Sequence, residues 1–187
     1  MKESRDNGIR RDMRDETMNN GLENNTEGQS DVLIEKYHSD NYGAVKKILS
    51  YVYETKIDQK TLEEKYIDSS HFIFVAKHAG RDVIGCVLAE KRNDYVRNSS
   101  FIYITYLAVH HDFRGKGIGR LLVERIEKMC VDMNCSAIEL TSANFRVGTH
   151  CFYKALGYTV KKTTHFIKEL SVDKLKNKPV SEQESLQ

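Results

Sequence analysis

The sequence has no tryptophan, a single proline and no apolar run of the roughly 20 residues that a membrane-spanning helix needs. Its N-terminal region lacks the apolar core of a secretory signal, so we expect a cytoplasmic location and no membrane partner. A formal net charge of +2 is too small to suggest a nucleic-acid partner. The 187 residues are enough for one domain with a buried core.

Disulfide and metal-ligand patterns are missing as well. None of the four cysteines forms a C-x-x-C pair, and all lie in or beside apolar stretches, which predicts reduced core thiols. The histidines do not show the H-x-x-x-H spacing of a metal site, and we therefore expect no metal. The cysteines are Cys86, Cys130, Cys135 and Cys151.

The chain divides by composition into three parts. Residues 1–31 contain no aromatic side chain and few apolar ones, which predicts a disordered extension. Residues 32–170 are expected to form one α/β (α+β) domain, and residues 171–187 a flexible tail. The predicted strands are Val32–Tyr37, His71–Lys77, Val83–Lys91, Ser99–Val109, Ala137–Thr141, Tyr158–Val160 and Thr164–Leu170. The first predicted helix begins after Ser39 or Asp40. Three further helices are predicted over Gln59–Tyr66, Gly117–Met133 and Thr149–Leu156.

The most informative stretch runs from Tyr106 to Arg120 and reads YLAVHHDFRGKGIGR. A predicted buried strand enters a turn with glycine at every second position, and a strongly amphipathic helix follows. Glycines let the backbone approach an anion, and the free amides and dipole of a helix start attract negative charge. Arg114 and Lys116 add positive charge. A tight turn that only begins the helix explains the glycines equally well.

Two other phosphate-binding patterns are a poorer match. A Walker A loop fails because no Gly-Lys pair is followed by Ser or Thr. A dinucleotide-binding fingerprint needs G-x-G-x-x-G, whereas Gly115, Gly117 and Gly119 give G-x-G-x-G. Glu139 lies where a ribose-binding acid would be expected, but the chain that follows it is too short for a doubly wound sheet.

Two motifs resemble those of the GNAT acetyltransferase superfamily. The first is Arg114-x-x-Gly117-x-Gly119, and the second is RVGTHCFYKALGY from Arg146 to Tyr158. Within the superfamily, the sequence is similar to the enzymes that acetylate small amines, including aminoalkylphosphonate acetyltransferases. The resemblance spans residues 32–170. It implies a mixed central sheet of six to seven strands, about four flanking helices and two strands that splay apart at the cofactor site.

The resemblance also implies that acetyl-CoA is the cosubstrate. The residues that it assigns to acetyl-CoA are Leu107, Ala108, Val109, Arg114, Gly115, Lys116, Gly117, Ile118, Gly119 and Arg120. Many relatives have asparagine where this chain has Arg146, so we expect either Arg146 or the nearby Asn144 to contact the cofactor. Tyr153 matches the tyrosine that protonates the departing thiolate in many relatives. The alternative is that Tyr153 only packs beside Phe152.

The general base is the least defined role. Relatives often have a carboxylate at the position that aligns with Tyr106, so Glu139 on the next strand is the candidate. A chain of water molecules to solvent is an equally good alternative. His110 and His111 lie at a strand end and are interpreted as polar loop residues.

The expected function is direct transfer of an acetyl group from acetyl-CoA to the primary amine of a small molecule. The expected partners are these two substrates, and the expected state is a monomer or a homodimer. Two alternatives remain open at this stage. One is acetylation of a protein N-terminus or lysine, and the other is a non-catalytic acyl-CoA-binding module on the same fold.

Overall fold

The computed structural model describes residues 31–168. Residues 1–30 of the predicted extension, the whole predicted tail and the last two residues of the predicted domain lie outside the described residues. The chain divides into two compact units, of which the first ends at Thr141 and the second begins at Ser142. No helix in the described part of the chain is long and apolar enough to cross a membrane.

The described residues form five strands, four α-helices and two short 3₁₀-helices. The strands are β1 (Val32–Lys36), β2 (His71–His78), β3 (Asp82–Asp94), β4 (Ser99–Val109) and β5 (Ile138–Leu140). The helices are α1 (Tyr42–Ser50), α2 (Gln59–Lys65), α3 (Ile118–Asp132) and, in the second unit, α4 (Val147–Ala155). One sheet contains the strands in the order β1-β2-β3-β4-β5, and only the β4–β5 pair is parallel. The expected mixed α/β fold is confirmed.

A tight turn joins β2 and β3, as predicted for this segment. Ala79 and Gly80 have φ values of 49° and 69°, and Arg81 N donates to His78 O at 3.1 Å. Positive φ at both central residues gives the turn a twist that matches the twist of the two strands. The turn therefore sets the antiparallel pairing of β2 with β3.

Helix α3 covers one face of the sheet with the apolar stripe predicted from its sequence. Ile118, Leu122 and Ile126 are buried there in a cluster with residues of β2, β3 and β4. Gly85 of β3 lies in this contact, because a Cβ atom built on it would lie 3.2 Å from Leu122 Cδ1 and 3.2 Å from the Ala108 carbonyl oxygen. The glycine therefore allows α3 to approach the sheet closely.

Helix α1 covers the opposite face with a smaller cluster. Val45, Ile48 and Leu49 recur at helical spacing, and they pack with Val75 and Cys86 of the sheet. The first unit thus has an α–β–α layering. Ile102 and Ile104 of β4 lie in the cluster under α3, and Ala108 lies in the cluster under α1, so β4 has apolar contacts on both faces.

The two strands expected after α4 are absent from the described residues, so this part of the prediction was wrong. Residues 158–168 have no regular secondary structure, and Val160, Phe166 and Ile167 are 75%, 88% and 79% exposed. A β-branched or aromatic run favours a strand only where a partner strand and an apolar layer are available to it. The sheet therefore has five strands in the described part of the chain, rather than six to seven.

Candidate active site

Strand β4 contains a β-bulge at its centre. Leu88 of β3 lies opposite Tyr106, whereas the next residue, Ala89, lies opposite Ile104. Thr105 is the extra residue, and its hydroxyl donates to the Leu88 carbonyl at 3.0 Å. The extra residue therefore reverses which side chains of β4 point to each face of the sheet after the bulge.

The end of β4 is paired with a strand on one side only. Its ladder with β5 covers Ile102–Ile104, and no described strand continues it. The Leu107 carbonyl accepts a hydrogen bond from the Tyr53 hydroxyl at 3.5 Å, away from β3. The Val109 carbonyl accepts one from Arg114 Nε at 3.1 Å. A strand residue directs its N–H and C=O to the same side. The amides of Leu107 and Val109 therefore also face the side of β4 that has no partner strand, which is called the opening below.

The glycine turn leads into a helix start that has no side-chain cap. Gly115 and Gly117 have φ values of 75° and 81°, in the left-handed region that favours glycine. Gly117 is the N-cap of α3, and the first turn contains no acidic residue. The first backbone hydrogen bond of the helix joins Leu121 N to Gly117 O at 3.1 Å. The amides of residues 118–120 therefore lie at the positive end of the helix dipole without a capping side chain.

Three cations surround this helix start. The Arg114 side chain is exposed, and Lys116 Nζ lies 5.1 Å from the centroid of the Phe113 ring. Arg120 pairs with Glu124 one turn later at 3.9 Å, and both side chains are about half exposed. An exposed pair of this kind is weak, so the Arg120 guanidinium can still interact with another anion. The charge and the backbone together suit a phosphate ligand.

His110, His111 and Asp112 form a cluster just before the glycine turn. The two imidazole rings are stacked with centroids 4.3 Å apart. Asp112 lies between them, with one carboxylate oxygen 3.2 Å from His111 Nε2 and the other 3.7 Å from His110 Nδ1. Their three ligand atoms lie within 4.8 Å of one another, although these consecutive residues lack the H-x-x-x-H spacing that the sequence analysis looked for. The interactions within the cluster account for the arrangement, and the expected absence of a metal stays a prediction.

Glu139 lies in the middle of β5, opposite Tyr103 of β4. Its neighbours Ile138 and Leu140 pack against the cluster under α3, so Glu139 is directed to the other face of the sheet. The pKa of Arg97 is raised, chiefly by its hydrogen bond to Asp94, and the charge of Glu139 contributes to the same shift. Glu139 is half-buried, and it lies one residue before the end of the ladder that pairs β5 with β4.

Tyr153 lies in the second unit, on helix α4. It is buried, with its ring centroid 5.0 Å from that of Phe152 and 5.4 Å from that of Tyr158. Gly157 has a φ of 90° and allows the chain to turn back at the end of the helix. The Tyr158 amide then donates to the Tyr153 carbonyl at 3.0 Å. The second motif thus forms a short helix that holds Tyr153 in an aromatic group.

Asn144 and Arg146 also belong to the second unit. Arg146 is the N-cap of α4, and its guanidinium lies 5.8 Å from the centroid of the Phe145 ring. Asn144 is exposed in the preceding turn. The other predicted cofactor residues and Glu139 belong to the first unit, whereas Tyr153, Asn144 and Arg146 belong to the second.

Tyr53 lies at the unpaired side of β4 and was not singled out by the sequence. It follows α1, and its ring meets that of Tyr106 edge to face with centroids 4.9 Å apart. Through its hydroxyl it also reaches the backbone of Leu107 at the open side of β4. The only signal in the sequence is the aromatic pair Tyr51 and Tyr53 after an amphipathic helix, which is too common to indicate a site.

A family model supplies the identification that this geometry alone does not. Residues 34–158 match the model described as "Acetyltransferase (GNAT) family". The chain belongs to the GNAT acetyltransferase family. Family membership makes it an acyltransferase and confirms the enzyme class expected from the two motifs. Proteins of this family generally use acetyl-CoA.

Curated relatives agree with the family assignment. The chain is 28% identical over 118 residues to an N-acetylaspartate synthetase of Danio rerio, a match that covers 63% of this chain and 40% of that protein. It is 29% identical over 112 residues to an acetyltransferase of Yersinia enterocolitica, covering 60% of this chain and 74% of that one. This GNAT chain therefore spans less than half the length of the Danio rerio relative.

Solved structures share the fold at low sequence identity. An aminoglycoside acetyltransferase from an uncultured soil metagenomic sample, solved with trehalose, matches with a TM-score of 0.70 and 18% identity, over 78% of this chain and 100% of that one. A ribosomal-protein-alanine N-acetyltransferase of Brucella melitensis matches with a TM-score of 0.62 and 20% identity, over 74% and 99% of the two chains. These likenesses establish the GNAT fold and leave the acceptor open.

Proposed function

We propose that this GNAT protein transfers the acetyl group of acetyl-CoA directly to the primary amine of a small molecule, through a catalytic domain of residues 32–170. The observation that carries the proposal is the combination of a one-sided end of β4 with an uncapped start of α3 in the first unit. The two features follow one another in the chain, so both can bind one elongated, phosphate-bearing ligand.

The residues of the first unit fit the chemistry of acetyl-CoA at two places. The amides of residues 118–120, together with Arg114 and Lys116, would hold the pyrophosphate. The backbone groups of Leu107 and Val109 would pair with the amide-bearing pantetheine arm. When bound, acetyl-CoA supplies an activated acetyl thioester. A strand amide that faces the opening would polarise the thioester carbonyl, which is a preorganised dipole effect.

The reaction also needs a base and an acid. The attacking amine must be neutral, so a base has to take up a proton, and Glu139 or a chain of water molecules would fill this role. Tyr153 would donate a proton to the departing thiolate. A buried phenol suits this task because a thiolate that forms away from solvent needs a nearby hydrogen-bond donor.

A small-molecule acceptor is favoured by the names of the similar proteins. The Danio rerio relative is named for N-acetylaspartate, and a fold neighbour is an aminoglycoside acetyltransferase. A protein acceptor is the main alternative, since another fold neighbour is a ribosomal-protein-alanine N-acetyltransferase. The aromatic pair of Tyr53 and Tyr106 beside the open end of β4 offers an apolar surface to an acceptor of either kind.

The proton-donor role can be tested with two tyrosine variants. We expect Tyr153→Phe to lower kcat by a factor of about 100 or more, the range typical of general acid catalysis, with little change in the Kd of acetyl-CoA. Tyr95→Phe is the matched control, because Tyr95 is 89% exposed in the turn between β3 and β4. Equal rates for both variants would remove Tyr153 from the mechanism.

The cofactor and the acceptor need separate measurements. Acetyl-CoA should raise the Tm of the free protein, and no shift at millimolar concentration would overturn the cofactor proposal. Release of free thiol should then be measured with a panel of polyamines, aminoalkylphosphonates, amino sugars and peptides. Turnover with peptides alone would overturn the small-molecule acceptor. A Glu139→Gln variant with an unchanged pH–rate profile would exclude Glu139 as the base.

A further inference from the structure

The C-terminal end of α3 places two cysteines side by side. Asn134 has a φ of 52°, and its amide donates to the Val131 carbonyl at 3.0 Å. The Cys135 amide donates to the Cys130 carbonyl at 2.9 Å. These two bonds define the Schellman motif, in which the residues at the two Cys positions normally bring their side chains into contact. Here both side chains are thiols.

The surroundings of the two thiols support this pairing. Cys130 Sγ lies 3.6 Å from the Cys135 carbonyl oxygen and 3.5 Å from that of Ala137. Burial raises the pKa of the Cys130 thiol, and the thiol of Cys135 is the next cause. Cys130 is 7% exposed, whereas Cys135 is half-buried at the edge of the same apolar cluster. Cys135 is therefore the more accessible member of the pair.

We propose that Cys130 and Cys135 are a reversible disulfide site that reacts with small disulfides such as oxidised glutathione. The Cys135 thiolate attacks one sulfur of the oxidant, forms a mixed disulfide and releases one glutathione thiolate. Cys130 then gives up its proton, and its sulfur attacks the Cys135 sulfur and releases the second glutathione. The protein loses two hydrogens and the oxidant is reduced to two thiols. The hydrogen bond from the Cys135 amide to the Cys130 carbonyl keeps the two backbones close, as a disulfide bridge requires.

The bridge would join the last turn of α3 to the segment that enters β5. Cys135 is three residues before Ile138, where β5 begins and pairs with β4. The site is separate from the glycine turn, which lies at the other end of α3. The proposal therefore does not depend on the proposed acetyl transfer.

The experiment uses the full chain with Cys151→Ser, because Cys151 is an exposed thiol that would react independently. After treatment of the native protein with oxidised glutathione, we expect the mass of two hydrogens to be lost and a peptide link between Cys130 and Cys135 to be found. Dithiothreitol should reverse both. Retention of glutathione on Cys135, or a link to another cysteine, would overturn the proposal.

Two further variants separate the steps. In Cys130→Ser, the second step is impossible, so glutathione should remain on Cys135. In Cys135→Ser, the accessible thiol is gone, and Cys130 should stay reduced for at least ten times longer than the pair takes to close. A Cys130→Ser protein that takes up no glutathione, or a Cys135→Ser protein whose Cys130 reacts as fast as the pair closes, contradicts the assignment. Circular dichroism of each variant before oxidation verifies that α3 and the rest of the fold are intact.

Discussion

Gly85 gives the sharpest test of how the fold positions the site. Replacing it with alanine adds a single methyl group beneath α3, in the contact that fixes the helix against β3. That methyl carbon would lie 3.2 Å from the Ala108 carbonyl oxygen, 3.2 Å from Leu122 Cδ1 and 3.3 Å from Ile118 Cγ2. Ordinary contacts begin at 3.4 Å, so three neighbours must move at once.

The size of the effect follows from these contacts. The Ala108 oxygen belongs to the backbone of β4, and both Leu122 and Ile118 are at most 2% exposed, so none of the three can move into solvent. Overpacking of this kind costs about 1–3 kcal/mol. Alanine recovers about 0.5–1 kcal/mol relative to glycine inside a strand. With the middle value of each range, we expect Gly85→Ala to lower the free energy of unfolding by roughly 1 kcal/mol.

Urea unfolding measures this change, and Gly43→Ala is the matched control. Gly43 lies in α1, and a Cβ atom on it would meet nothing within 4 Å. The control should therefore raise the free energy of unfolding by about 0.5–1 kcal/mol, with an unchanged m-value. Opposite signs for the same chemical change would show that the space around the glycine decides the outcome.

A double variant tests the cause directly. If Leu122→Ala makes room for the added methyl group, the combined loss with Gly85→Ala should be smaller than the sum of the two by about 0.5 kcal/mol or more. The reasoning is refuted if Gly85→Ala is as stable as the parent protein. Additive losses would instead place the obstruction at the Ala108 carbonyl or at Ile118.

Three further outcomes follow from the structure. Ala79→Asn should stabilise the protein to urea by up to about 1 kcal/mol, because Ala79 has a φ of 49° and asparagine tolerates that region better. Burial raises the pKa of Cys86 to about 12, so Ellman's reagent should modify the exposed Cys151 in the native protein and Cys86 only after unfolding. The Thr61 amide and hydroxyl donate to the Asp58 carboxylate and hold its pKa below the usual range. Because the native pKa is the lower one, the stabilisation is present at neutral pH and is lost as the pH falls through that native value. The stability difference between the parent protein and Asp58→Ala should therefore shrink in acid, as urea unfolding at a series of pH values will show.

The sequence was sufficient for the features that depend on local patterns. The apolar stripe of α3 predicted both the helix and its buried face, because its period matches a helix. The segment Ala79–Arg81 predicted the hairpin between β2 and β3. The alternate glycines before α3 predicted a turn in which the backbone takes left-handed values, and Gly115 and Gly117 have them.

Features that depend on contacts between residues far apart in the chain could not be predicted from the sequence. The bulge at Thr105 exists only in relation to β3, and the nearly continuous apolar run of β4 does not show where the alternation changes step. The segment after α4 has strand-like composition, yet Phe166 is exposed and no ladder forms there among the described residues. Tyr53 gains its place beside Leu107 from tertiary packing, and no local pattern encodes that contact.

The left-handed turn at Gly117 and the bare start of α3 belong together. Gly117 has a φ of 81°, which serine and aspartate adopt only with strain, so the side chains that normally cap a helix are disfavoured at this position. An anion bound at these amides would supply the hydrogen bonds that a capping side chain otherwise gives. A ligand with that chemistry would therefore stabilise the folded protein when it binds.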